Sequence, residues 1–178
     1  MADIVRRVSE PMVGQIRLAW WREALADPSG VKGRGEPLVD AMRQAEVAPP
    51  FGLAAWVDGW DALIGEPDLK AYASGRGGGL FQALAGDEDV PEWLLETGAV
   101  WALWDLSGHA RDSALADQAI EEARRRLLDT RPRWPAAWRP MRMAYALARH
   151  DVMRGRRAPR SLTPRLYLRV LRLGLTTG

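Results

Sequence analysis

Apolar positions recur at helical spacing almost throughout the chain, and prolines and glycines divide them into about eight segments with no convincing alternating strand. This pattern predicts an all-α chain forming a single domain over 1–178. A first helix is predicted over about 9–27, with Ser9 and Pro11 at its start and Asp27-Pro28-Ser29-Gly30 as its stop. A short helix follows from Pro37 to about Glu46. A third runs from Pro50 to Gly65, where Leu53, Trp56, Val57, Trp60, Leu63 and Ile64 fall on one face.

Pro67 opens a fourth helix that must pass through Gly75-Arg76-Gly77-Gly78-Gly79. Glycine in a helix interior costs about 1 kcal/mol relative to alanine, so the run implies a break or a backbone that something approaches closely. It lacks the preceding strand and the GK[ST] ending of a phosphate-binding P-loop, and close helix packing is the better account. From Pro91 to about Ser107 apolar residues point in every direction, including Trp93, Val100, Trp101, Leu103 and Trp104, as expected of a central helix enclosed by others. A charged helix over about 113–129, a Pro/Trp loop (RPRWPAAWRP), a helix to about Arg154 and a last helix capped by Thr163-Pro164 complete the chain.

Composition sharpens this picture at three points. Nine tryptophans against two phenylalanines imply either a core built around indoles or a large apolar pocket lined with them. The absence of cysteine excludes disulfides, thiolate metal sites and a cysteine nucleophile, and suits a reducing cytoplasm. No apolar stretch approaches the roughly 20 residues of a spanning helix, and MADIVRRVSE lacks the apolar core of a signal peptide, so a cytoplasmic location is expected. The net charge is only +2, and with no recognised motif there is no case for a nucleic-acid partner.

Few polar constellations survive comparison with simpler explanations. Asp58 and Asp61 lie on the flank away from the tryptophan face, where a solvated edge is expected. Glu88, Glu92 and Glu96 bracket a helix N-terminus, where acids are favoured by the macrodipole. Asp117 and Glu121 adjoin Arg124, Arg125 and Arg126, as on an exposed salt-bridged surface. His150, followed by Asp151, suggests no metal site. Asp105 is distinctive because it falls in the apolar central helix with His109 four residues on, within reach for a hydrogen-bonded pair. Arg165, Arg169 and Arg172 form a narrow stripe on the last helix, consistent with a bundle helix with one wet basic edge and at most peripheral contact with anionic lipid.

The segment SEPMVGQIRLAWWREAL, Ser9 to Leu25, resembles a helix of the squalene/phytoene synthase family with the pattern R-L-x-W-W-R-x-A-L. GEPLVDAM (35–42), VDGWDAL (57–63), YASGRGGGLFQALAG (72–86), GAVWALWDL (98–106) and RPMRMAYALARHDV (139–152) follow in the family's order. The resemblance implies an isoprenoid-synthase-like helical bundle, truncated at its N-terminus. It also implies a central cavity with Trp21, Tyr72, Gly75, Gly79, Gln82, Trp101, Asp105 and His109 as candidate lining residues.

Active members of that family carry two aspartate-rich motifs, with acids four apart, that hold Mg²⁺ against prenyl diphosphates. Here only Asp3 stands where the first belongs. At the second, one register places His109 and Ser113 at the acid positions and another Asp112 and Ala116. The resemblance therefore implies a non-catalytic binding or assembly-type member, with a prenyl or lipid-like ligand, a protein partner and no metal or other cofactor. The alternatives are an active Mg²⁺-dependent prenyltransferase performing head-to-head condensation in terpenoid biosynthesis, and a structural bundle without a ligand.

Overall fold

A computed structural model describes residues 11–129 and 132–175. Asp3 lies outside them. The described residues form helices α1 (Pro11–Ala26), α2 (Pro37–Gln44), α3 (Leu53–Asp61), α4 (Leu69–Tyr72), α5 (Leu80–Ala85), α6 (Glu92–His109), α7 (Ser113–Arg125), α8 (Arg139–Val152) and α9 (Pro164–Leu175), with no strand among them. A π-helical segment, Ala73–Gly79, joins α4 to α5, and a short 3₁₀ turn, Ala136–Trp138, leads into α8. The all-α expectation is met. No described helix is long and apolar enough to cross a membrane.

The predicted fourth helix is therefore continuous, but its hydrogen bonding widens to i→i+5 through the glycine run instead of breaking. Asp68 caps its start, its carboxylate accepting from the Lys70 and Ala71 amides at 2.9 and 3.0 Å. The glycines let two other helices reach backbone contact. A Cβ on Gly59 of α3 would overlap the Arg76 backbone, and Gly77 and Gly98 of α6 meet so closely that a Cβ on either would overlap the other's carbonyl. The π segment is thus wedged between α3 and α6, and a π turn of this kind often marks a functional site.

α6 is the central helix. Leu94, Val100 and Leu103 are fully enclosed and Trp104 nearly so, each such side chain contributing about 1.5–3 kcal/mol of hydrophobic stabilisation. One core cluster joins α6 to α7 and α8 through Ile120, Tyr145, Ala148 and Val152. A second is aromatic: Trp101 stacks on Phe81 at 6.0 Å, and Trp93 meets Trp134 and Trp138 at 4.8 and 5.9 Å. The Pro/Trp loop is thereby fixed to α6 through its indoles.

α7 ends at Arg125, before the predicted 129, and Arg126 turns back to bridge two helices. It donates from Nε to buried Glu122 at 2.9 Å and reaches Glu96 of α6 at 3.2 Å. α9 packs on α8, with Arg169 bonded to buried Asp151 at 3.0 Å and Tyr167, Leu168 and Leu171 left exposed. One member of the expected wet basic edge, Arg169, is therefore half-buried as the ion-pair partner of Asp151.

Two consequences are measurable. Gly98→Ala should lower stability by at least about 1–3 kcal/mol, the range for overpacking a filled core, with Gly65→Ala, which has no neighbour within 4 Å but a positive φ, costing less in the same thermal unfolding assay. Burial opposes ionisation of Glu122, but hydrogen bonds from Arg125 and Arg126 outweigh it and hold its carboxyl below the usual range. Its contribution is present above the unfolded carboxylate pKa and lost as pH falls through the lower folded value. Glu122→Gln should cost about 1–3 kcal/mol at pH 7, a deficit that narrows below about pH 4 in denaturant titrations.

Candidate functional site

Where α3, the π segment and α6 converge, a pocket of about 610 Å³ opens between Trp60, Leu63, Tyr72, Arg76, Asp105, Leu106, His109 and the 110–115 turn. Each wall follows from local sequence. The apolar face of α3 brings Trp56 and Trp60 to one side, and α6 presents Trp101 and Asp105, four apart, on the other. Between them the glycine run offers a single side chain, that of Arg76.

The Arg76 guanidinium lies 4.8 Å from the Trp101 ring centroid, 5.0 Å from that of Trp60 and 5.7 Å from that of Trp56. Its Nε and Nη1 are buried without a hydrogen-bond partner, as are the indole N–H groups of Trp56 and Trp60. Cation–π attraction of about 0.5–2 kcal/mol per ring offsets part of its desolvation. Desolvation nonetheless lowers the Arg76 pKa, against the opposing influence of Tyr72 and Asp105. Arginine remains a cation under such conditions. Burial likewise raises the Tyr72 phenol, opposed by Arg76 and reinforced by Asp105, so it stays neutral at physiological pH. These four groups around Arg76 are all donors; on the same helix as the two tryptophans, Asp61 Oδ1 is also buried without a partner, as an acceptor.

Asp105 and His109 share the pocket rim, but not through the side-chain bond expected from their spacing. His109 Nδ1 lies 2.9 Å from the Asp105 carbonyl oxygen and 3.7 Å from its Oδ1. A carbonyl can only accept, so Nδ1 is the donor in this contact. The helix geometry that aligns residues four apart also places the i carbonyl closer than the i side chain. Asp112, also on the rim, caps α7 by accepting from the Ala114 amide at 2.9 Å.

Of the residues proposed to line a cavity, Tyr72, Asp105 and His109 lie on the pocket, and Trp101 stands behind Arg76. The other four lie elsewhere. Gly75 and Gly79 are pressed against the α3 backbone, at Ala55 and Gly59 and at Gly52 and Trp56 respectively, because their role is close approach. Gln82 donates to the Glu88 carbonyl at 3.0 Å, closing the α5–α6 turn. Trp21 packs edge-on with Trp20 on α1, at 5.3 Å. Arg76 is the residue that sequence reasoning passed over, although it is the lone side chain among four glycines.

The acid pair nearest to a metal-binding pattern does not fit Mg²⁺. Asp58 and Asp61 are 3.2 and 3.6 Å from the Arg22 guanidinium, so the edge they form, exposed at Asp58 as expected and half-buried at Asp61, also ties α3 to α1. Among the described residues no group of three or more His, Cys, Asp or Glu is arranged to hold a metal ion. Compared with protein-family models, curated proteins and solved structures, the chain matches none.

Proposed function

We propose that the chain is a squalene/phytoene synthase-like protein that binds a prenyl or other lipid-like ligand without catalysing its coupling. The observation that carries this reading is the Trp60–Arg76–Leu106 pocket, apolar on most of its wall and furnished with buried donors that lack acceptors. Its volume, about 610 Å³, falls in the range of small-molecule sites. Ionising a prenyl diphosphate would require several negative charges to be neutralised in a dry cavity. Asp58 and Asp61 lie beside Arg22, and the two acids on the pocket itself, Asp105 and Asp112, belong to no group of three or more metal-binding side chains among the described residues.

A protein partner is a second reading, favoured by α1. Met12, Val13, Ile16 and Trp20 form a stripe on that helix and are all substantially exposed. The two readings are compatible, since the stripe and the pocket occupy different elements.

With farnesyl or geranylgeranyl diphosphate and Mg²⁺, the purified chain should release no diphosphate, while indole fluorescence should fall when an uncharged prenyl alcohol such as farnesol enters beside Trp60. Mg²⁺-dependent diphosphate release would overturn the non-catalytic reading. Unchanged fluorescence with every prenyl ligand would remove the prenyl class.

A further inference from the structure

We propose that the pocket takes a long-chain monocarboxylate, with Arg76 receiving the carboxylate and the leucines of the wall holding the tail. This names a ligand class for the pocket and rests on the binding reading above. Arg76 is held among three indole faces, with Nε and Nη1 buried and unpaired. An unpaired cation in such surroundings gains most from an anionic acceptor, and a planar carboxylate can take two parallel N–H bonds from a guanidinium, here from Nη2, which is not among the buried unpaired nitrogens, together with Nε or Nη1.

Charge arithmetic selects the head group. Arg76 is the one cation set against those rings among the described residues. Around it the pocket carries Arg111 against Asp105 and Asp112, so with Arg76 the formal charge sums to zero and each further negative charge on a head group adds to the cost of placing it there. A phosphate monoester, approaching two negative charges at neutral pH, would meet the field of Asp105 with one arginine to neutralise it. A carboxylate brings a single charge. Leu63, Leu106 and Leu115 supply apolar wall for a chain attached to it.

The test compares dodecanoate, dodecyl phosphate and dodecanol on the full chain without added metal, read by tryptophan fluorescence and calorimetry at pH 7.5. Dodecanoate should bind more tightly than either of the others. Arg76→Gln should weaken dodecanoate by about tenfold or more while leaving dodecanol unchanged, and Arg76→Lys, which keeps the charge but loses the fork, should fall between. Asp105→Asn should tighten dodecanoate by removing a repulsive charge, and this arm decides the matter if Arg76→Gln does not fold. Equal binding of dodecanoate and dodecanol, or an affinity indifferent to both Arg76 and Asp105, would overturn the head assignment while leaving the pocket as an amphiphile site. Tighter binding of dodecyl phosphate would overturn the carboxylate. If none of the three binds the wild-type chain, the binding reading itself fails.

Discussion

Contact between backbones, made possible by missing side chains, is the constraint on which the arrangement depends. Gly59 of α3, Gly77 of the π segment and Gly98 of α6 bring three helices close enough that no Cβ fits at the crossings. Helices ordinarily pack 8–10 Å apart, a spacing set by the side chains at their contacts. Removing those side chains draws α3 and α6 onto the same stretch of chain, and α6 then organises α7 and α8 around its remaining faces.

That closeness has an electrostatic consequence. A residue placed in the glycine run must send its side chain out through the gap between α3 and α6, and in this chain that residue is Arg76. The indoles of Trp56, Trp60 and Trp101 receive it with their faces, a favourable site for a guanidinium but one that provides no hydrogen-bond acceptor. Buried polar groups are normally paired. A cluster of unpaired donors bordering an apolar pocket is therefore more informative than pocket volume alone, because it specifies the polarity of what enters.

Three other arginines are paired with acids and serve architecture. Arg126 links Glu122 to Glu96, Arg169 reaches Asp151, and Arg22 spans Asp58 and Asp61. Each of these arginines joins two helices, and Glu122 and Asp151 are buried enough that loss of their partners would leave an uncompensated carboxylate. Arg76 differs in having aromatic faces where the others have acids.

Sequence by itself determined the helical class, the enclosed helix around Trp101–Trp104 and the close approach at the glycine run. These follow from periodicity and from the steric properties of single residues, which are local. It also put Asp105 and His109 on one side of α6, since four residues make about one turn, although their hydrogen bond runs to the backbone. Tertiary structure decided the rest. Gln82 and Trp21 are drawn to other partners, and Asp58 and Asp61 meet an arginine from a helix more than thirty residues earlier. Arg76 acquires its character from tryptophans on two other helices. Nothing within a few residues of Arg76 marks it as unpaired, because the absence of an acceptor is a property of everything packed around it, fixed only once the backbones have closed.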